Sequence, residues 1–402
     1  MIHDLAQSNI QQFIRDHEND DVRELVLKKA FIEGTPSSVI ANQIACRRKA
    51  KEKLPLWYNT AGIIYPPMVN LEQASSEITA QFKYEVLTNR INPPFPRIKG
   101  GVGVDLTGGF GVDSFFISQS FGQFHYVESN AELVEIARHN HRQLGSTNIT
   151  HHCTAAEEFL QAFPGTIDFI YLDPSRRTTG SKKVVQLSDC LPDVPALLPA
   201  LLERSSLVLI KTSPLLDIQR GLNGLRSVRN VFVVSVANDC KEVLYLCQSG
   251  FSGEPVIHAV NLQSPDDEFT FCISEEKKAA VEFSYPLAYL FEPNSSLMKA
   301  GAFKVTAERY GLFKLHKNTH IYTSDKLSYE FPGRIFKIKS LVTPSEIKTV
   351  FATKQANIIS RNYPLTAEQL KKKLHLRDGG SDYLIAVAGL KKKYLVAAGR
   401  IK

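Results

Sequence analysis

Between Gly100 and Ser249, short apolar segments alternate with amphipathic segments of helical length, and this alternation constrains the fold more than any other feature. Strands that alternate with helices form a parallel sheet with helices on both faces. We therefore predict an α/β domain with a Rossmann-like sheet. The predicted strands are VGVDL (102–106), FHYVE (124–128), NITHHC (148–153), DFIYL (168–172) and SLVLIKT (206–212).

The segments on either side of these strands lack the alternation. Residues 1–66 are predicted to be helical, and one helix begins with Thr35 as its cap and Pro36 at its first position. The strands at 228–238 and 241–249 are predicted to form a terminal hairpin. After residue 250, short strands and helices are mixed, which predicts one or two small α+β domains with a capped helix over 292–312.

A glycine-rich turn, DLTGGFGVDS (105–114), joins the first strand to the next helix. Such a turn lets the backbone approach a ligand closely. Gly109 and Gly111 form only part of a dinucleotide-binding motif, because Ser114 occupies the third glycine position. The carboxylate of Asp105 would repel a pyrophosphate but suits a ligand with an amino group, such as S-adenosylmethionine (SAM), which carries an ammonium and a sulfonium. The alternative is a tight turn without a ligand.

Two further acidic residues end predicted strands. Glu128 ends the second strand, 23 residues after Asp105, where an acid can accept hydrogen bonds from both ribose hydroxyls of NAD or SAM. The fourth strand ends at Asp173 and Pro174, followed closely by Arg176 and Arg177. Because ligands bind at the carboxyl ends of parallel strands, these residues are predicted to lie at one site.

The order of these motifs, an acid with a glycine-rich turn, a second acid and then DP, resembles a class I SAM-dependent methyltransferase. Two features depart from that pattern: Thr107 stands where glycine is common, and the adenine contact after the third strand stays unassigned. Longer strings resemble a bacterial family that carries a THUMP-like C-terminal domain. These strings are QIACRRKAKEKLPLWY (43–58), IIYPP (63–67), LEQASSE (71–77), DPSRR (173–177), KTSP (211–214), KEVLYL (241–246) and LFEPNSSLMKAGAF (290–303).

This resemblance implies four parts and a cofactor. The parts are an N-terminal helical region (1–66), a SAM-dependent methyltransferase domain (67–250), a ferredoxin-like domain (251–328) and a basic THUMP-like domain (329–402). SAM would be held by Asp105, Thr107, Gly109, Gly111 and Glu128. By similarity to RNA methyltransferases, Gln73, Ser75 and Ser76 would meet its methionine end, and the alternative is a polar first helical turn under the sheet.

The catalytic candidates are Asp173, Pro174, Arg176 and Arg177. Amino-methylating relatives carry an aromatic ring after the DP or NP pair, which stacks on the target base, and this chain has none. The arginines would stack on a base or bind phosphate, or they are solvated or paired with loop acids. INPPF (91–95) matches the amine motif but precedes the first strand, so we interpret it as a linker. Cys190 is interpreted as a buried residue rather than a nucleophile.

For several polar residues, the sequence allows two interpretations. Lys211, Thr212 and Ser213 end the fifth strand and either line a substrate pocket or cap the next helix. His151 and His152 are adjacent without a partner at metal-ligand spacing, so we predict surface or loop residues and no metal.

Charge is distributed unevenly along the chain. Residues 300–402 carry a net +13, and the rest carries −6. A basic C-terminal quarter suggests RNA binding, although solvated lysine-rich faces, including the triplets at 371–373 and 391–393, would look the same.

Six scattered cysteines, a polar N-terminus and the lack of a long apolar run predict a cytoplasmic protein.

Three functions agree with the sequence. The first is a SAM-dependent methyltransferase acting on a tRNA or rRNA base. The second is an RNA-binding protein with a SAM-binding domain that is not catalytic. The third is a methyltransferase of proteins or small molecules.

Overall fold

A computed structural model describes residues 2–28, 30–91, 100–176, 187–264 and 268–402. The chain divides into two compact units. Unit 1 consists of residues 1–212, 219–228 and 245–251, and unit 2 of residues 213–218, 229–244 and 252–402. In the described ranges, no helix is both long and apolar enough to cross a membrane.

Unit 1 begins with helices and one short hairpin. The elements are α1 (Ile2–Leu5), α2 (Ser8–Asp16), α3 (Val22–Lys28), β1 (Phe31–Ile32), β2 (Thr35–Pro36), α4 (Ser37–Lys53), α5 (Pro55–Asn59), α6 (Met68–Gln73) and α7 (Glu77–Thr88). The predicted cap at Thr35 is wrong, because Thr35 pairs with Ile32 in the hairpin and α4 begins at Ser37. The buried Trp57 packs against Phe115, with ring centroids 5.2 Å apart.

The parallel sheet of unit 1 confirms the predicted α/β architecture. Its neighbouring strands run in the order β9, β6, β3, β4, β5, and each pair is parallel. Along the chain, β4 and β5 are added on one side of β3, and β6 and β9 then follow on its other side. A crevice therefore opens beside the carboxyl end of β3. The elements are β3 (Val102–Asp105), α8 (Val112–Ser118), β4 (Gln123–Glu128), α9 (Ala131–Gln143), β5 (Ile149–Cys153), α10 (Ala156–Ala162), β6 (Ile167–Leu172), β7 (Ser175–Arg176), a 3₁₀ turn (Leu187–Asp189), β8 (Cys190–Leu191), α11 (Val194–Arg204), β9 (Ser205–Thr212) and α12 (Ile218–Gly224).

The two strands that follow are β10 (Val228–Val236) and β11 (Asp239–Gln248), joined through Ala237 and Asn238, which both have positive φ. They are hydrogen-bonded neighbours, as expected for the predicted hairpin, but the hairpin is not terminal, because β10 has a further neighbour. In unit 2, β12 (Val256–Leu262) pairs in parallel with β10, and β13 (Glu268–Cys272) pairs antiparallel with β12. The physical reason is that Val231–Val234 of β10 are fully buried, so this strand needs a covered neighbour.

A second sheet in unit 2 contains seven strands in the order β15, β16, β14, β17, β20, β19, β18. The predicted helix over 292–312 is two helices, separated at Gly301 (φ 80°), and Asn294 caps the first. The elements are α13 (Ile273–Lys278), β14 (Tyr289–Pro293), α14 (Ser295–Ala300), α15 (Lys304–Tyr310), β15 (Phe313–His316), β16 (Thr319–Ser324), β17 (Gly333–Val342), α16 (Ile347–Val350), β18 (Asn357–Arg361), α17 (Ala367–Leu374), β19 (Asp382–Ala388) and β20 (Lys393–Arg400).

Candidate active site

A cavity of about 560 Å³ lies at the carboxyl ends of β3, β4, β5 and β6. The described residues that line it lie between Asn70 and Pro192, all in unit 1. Residues that the sequence predicted as site residues are among them: Gln73, Ser75, Asp105, Thr107, Gly109, Gly111, Glu128 and Asp173. The volume falls within the ~300–1,000 Å³ typical of small-molecule sites.

The glycine-rich turn is held against β4 and α9 by contacts that exclude larger residues. A Cβ atom on Gly108 would lie 2.3 Å from the buried Tyr126 ring. Gly111 has φ 86°, and a Cβ there would lie 2.7 Å from His141 Nε2. Burial lowers the pKa of His141 to about 4, so its ring is neutral near pH 7, and Nε2 lies 2.9 Å from Gly111 O.

Asp105 ends β3 and is 1% exposed. Its Oδ1 accepts hydrogen bonds from Thr107 N at 2.9 Å and Thr107 Oγ1 at 3.3 Å, and Oδ2 accepts one from Ser114 Oγ. Burial raises the pKa of Asp105 to about 7, because the charged form loses solvation and these hydrogen bonds offset only part of that loss. Asp105 is therefore a carboxyl group that changes its ionisation near neutral pH.

Glu128 and Thr107 connect the turn to the neighbouring strands. Glu128 accepts hydrogen bonds from Gly109 N at 3.0 Å and Asn130 N at 2.9 Å. Thr107 Oγ1 accepts a hydrogen bond from Asp173 N at 2.6 Å. The threonine that departs from the usual glycine thus joins the end of β3 to the end of β6.

Beside the cavity lies a buried charge network that the sequence reasoning missed. Asp113 Oδ1 is 3.1 Å from Lys83 Nζ, and Oδ2 is 3.5 Å from Lys211 Nζ. Asp113 Oδ2 also accepts hydrogen bonds from Ser75 Oγ at 2.8 Å and Tyr171 OH at 2.7 Å. Burial alone would raise the pKa of Asp113, but the two ammonium groups lower it well below its usual range.

Lys211 links this network to the predicted catalytic residue Asp173. Its Nζ is 2.5 Å from Asp173 Oδ2 and donates to Ser75 Oγ at 3.1 Å. Lys211 is not among the cavity-lining residues, whereas the side chain of Asp173 is 34% exposed and lines the cavity. Lys211 therefore contacts three cavity-lining residues, Asp173, Ser75 and Asp113, without lining the cavity itself.

The remaining predicted residues lie in several places. Pro174 is half-buried, and β7 after it pairs with β8. For Arg176 only the backbone is described, and Arg177 lies outside the described residues, as does most of INPPF. Cys190 is 3% exposed, and the described lining residues do not include it.

Of the two serines that were predicted to meet the methionine end of SAM, one caps a helix instead. Ser76 Oγ accepts a hydrogen bond from Thr79 N at 3.4 Å and caps α7, whereas Ser75 faces the cavity. Thr212 is buried, Ser213 Oγ accepts a hydrogen bond from Leu215 N at 3.3 Å, and neither is among the described lining residues.

The adjacent histidines lie on a strand rather than in a loop, and both are half-buried. His151 and His152 lie on β5, and they are 2.8 Å and 3.0 Å from His141 Nδ1 and His125 Nδ1 through their Nε2 atoms. The part of the cavity after β5, where the adenine contact was left unassigned, is lined by Thr154, Ala155, Ala156 and Glu157.

Two domain families match the C-terminal part of the chain. A ferredoxin-like domain matches residues 289–332, and a THUMP domain-like family matches residues 333–400. These matches confirm the two domain types that the sequence resemblance implied. No curated protein sequence matches the chain.

Among solved structures, a candidate methyltransferase from Porphyromonas gingivalis W83 is 30% identical, with 98% of each chain covered and a TM-score of 0.86. A candidate RNA methyltransferase from Pyrococcus horikoshii is 18% identical (51% of this chain and 98% of that chain, TM-score 0.33). A candidate methyltransferase from Streptococcus mutans in complex with SAH is 14% identical (42% and 96%, TM-score 0.30).

Proposed function

We propose that this chain transfers a methyl group from SAM to RNA, because it belongs to the bacterial methyltransferase family that includes the Porphyromonas gingivalis protein. This family carries ferredoxin-like and THUMP-like C-terminal domains. The observation that carries this proposal is the cavity beside the glycine-rich turn, with Asp105 and Glu128 at neighbouring strand ends. SAM supplies an electrophilic methyl group on a sulfonium.

The residues around the cavity suit SAM in charge and in hydrogen-bonding groups. Asp105 and Ser75 would hold the methionine end, where a carboxylate suits the ammonium group. Glu128 would accept hydrogen bonds from the ribose, and Thr107, Gly109 and Gly111 would bring the backbone close to the ligand. Asp173, Pro174, Arg176 and Arg177 would lie on the acceptor side, with Lys211, Thr212 and Ser213 behind them.

Calorimetric titration with SAM tests the cofactor directly. We expect a saturable binding heat for the intact chain and a clearly weaker one for Asp105→Ala. A flat trace for the intact chain, with the same trace for Asp105→Ala, would contradict the proposal.

SAM affinity is expected to depend on pH through Asp105. With a pKa of about 7 in the free protein, this carboxyl group must lose its proton to attract the ammonium. Affinity should therefore rise with pH, and binding at pH 6 should be roughly tenfold weaker than at pH 7.5. Calorimetry across this range measures the effect. Asp105→Asn should remove the dependence, and equal slopes for both proteins would contradict it.

RNA is proposed as the acceptor because the THUMP domain-like match at 333–400 falls within the basic quarter of the chain. Lys391 and Lys392 are exposed between β19 and β20. Replacing both with alanine should make the negative slope of log binding constant against log salt shallower by about 1.4 to 1.8, since each phosphate contact contributes about 0.7 in single strands and about 0.9 in a duplex. Filter binding measures the slope. Alanine at the exposed Lys277 and Lys278 is the matched control, and an equal change there would indicate diffuse attraction.

Comparison of total RNA from a strain lacking the gene with RNA from its parent would identify the substrate, because a missing methyl mark names the nucleotide.

We also propose the four-part division at residues 66, 250 and 328. The matches at 289–332 and 333–400 support the order of the last two parts. We also propose a cytoplasmic location, because the six cysteines are scattered along the sequence rather than spaced as a disulfide framework.

A further inference from the structure

The acceptor side of the cavity has a distinctive arrangement of charge. Two ammonium groups, those of Lys83 and Lys211, approach the same Asp113 carboxylate, and Lys211 also contacts Asp173. Lys83 is 0% exposed in its side chain and Lys211 is 11% exposed, so water screens neither charge well. Three residues of this network line the cavity, namely Asp173, Ser75 and Asp113.

An exocyclic amine is a poor acceptor in these surroundings. Its nitrogen gains positive charge as it attacks the methyl carbon, and the ammonium groups of Lys83 and Lys211 offset the carboxylates of Asp113 and Asp173, which would otherwise stabilise that charge. The amine also needs hydrogen-bond acceptors, but one oxygen of Asp173 is already engaged by Lys211. The residues after Asp173 are Pro174, Ser175 and two arginines, so no aromatic ring from this segment stacks on a base.

A hydroxyl group has the opposite requirements. Its oxygen gains negative character as its proton leaves, which nearby ammonium groups favour, and its proton needs a carboxylate to accept it. We propose that the acceptor is a ribose 2′-hydroxyl of RNA, with Asp173 as general base and Lys211 as its positioning residue. This inference rests on the proposed function and narrows it from RNA to one atom.

The reaction balances with the groups present. The hydroxyl oxygen forms a bond to the methyl carbon, the carbon–sulfur bond breaks, and its electron pair stays on sulfur, which becomes a neutral thioether. The hydroxyl proton passes to the carboxylate of Asp173, and solvent removes it later. The partly buried position of Asp173 raises its pKa, which strengthens it as a base, while Lys211 opposes that rise and holds one oxygen in place.

The first test uses the full-length protein, total RNA from a strain lacking the gene, and SAM labelled in the methyl group. We expect the label in nucleosides methylated at the 2′-oxygen, which resist alkaline hydrolysis of the adjacent phosphodiester. Label in a methylated base would overturn this inference and leave the proposed function intact. If SAM binds and no RNA is labelled, the proposed function fails, and the inference fails with it.

The second test separates positioning from structure. Lys211→Met and Asp173→Asn should each lower the single-turnover transfer rate about 100-fold or more, in the range of a general base. Lys211→Arg should recover part of the rate. The matched controls are Lys241→Met and Asp239→Asn, an exposed ion pair at 2.6 Å, and they should transfer at the parent rate.

The pH dependence of the transfer rate distinguishes the proposed roles of Lys211 and Asp173 from purely structural ones, which would leave it unchanged. Lys211 and Lys83 lower the pKa of Asp173, and Asp113 raises it. Removing Lys211 should therefore raise the pKa of Asp173 and shift the acidic limb of the rate profile to higher pH. A lower rate in Lys211→Met with an unshifted limb, or an unchanged rate in Asp173→Asn, would overturn the assigned roles.

Discussion

Replacing Lys83 with methionine is expected to lower the free energy of unfolding by about 3 kcal/mol, the low end of the range for breaking a buried ion pair. Lys83 is fully buried and lies 3.1 Å from Asp113 Oδ1. Its loss leaves that oxygen without its nearest cation, while Lys211 still compensates part of the charge from 3.5 Å. Urea denaturation at pH 7 measures the change.

The matched control for this substitution is Lys49→Met. Lys49 pairs with Glu72 on the surface, with side chains 42% and 51% exposed, so its removal should cost far less than the removal of Lys83. The double variant Lys83→Met/Asp113→Asn should recover part of the loss, because it also removes the carboxylate charge. Equal losses for Lys83→Met and Lys49→Met would show that the buried network does not stabilise the fold.

Replacing Gly108 with alanine is expected to weaken SAM binding more than tenfold and to destabilise the protein by about 1–3 kcal/mol through overpacking. The new methyl group would lie 2.3 Å from the Tyr126 ring, which is fully buried and donates a hydrogen bond from its OH to Gly109 O. Because this hydrogen bond also holds the buried ring in place, we expect the turn to move, and the turn lines the cavity.

Thermal unfolding and calorimetric titration measure the two effects of Gly108→Ala. Gly224→Ala is the control, because a Cβ there meets no atom within 4 Å. A Gly108→Ala protein that binds SAM like the parent would show that the turn does not shape the cavity.

The strand ends were predictable from the sequence, and the charge network was not. Asp105 and Glu128 follow apolar strands, and parallel strands bring such ends together wherever they occur in a sequence. Lys83 and Lys211 are far apart in the sequence, and neither lies in a local pattern that reveals its shared partner Asp113. Only the packing of α7 against α8 and the position of β9 bring them together.

Even for adjacent residues, the sequence does not predict which role each side chain takes. Ser75 and Ser76 have the same chemistry, but one joins the buried network and the other caps α7. The direction of the chain after α6 decides between the two roles, and a sequence pattern does not encode that direction. β10 was assigned to a terminal hairpin for a related reason, since its partner β12 follows a break in the alternation.

The location of the cavity lining has an evolutionary consequence. The described lining residues fall between Asn70 and Pro192, and none belongs to the matched segments at 289–332 and 333–400. With RNA bound by the C-terminal segments, as proposed above, selection on target recognition would act there without changing a side chain that lines the cavity. Under that proposal, related proteins would diverge in the RNA they modify while the donor chemistry is inherited unchanged.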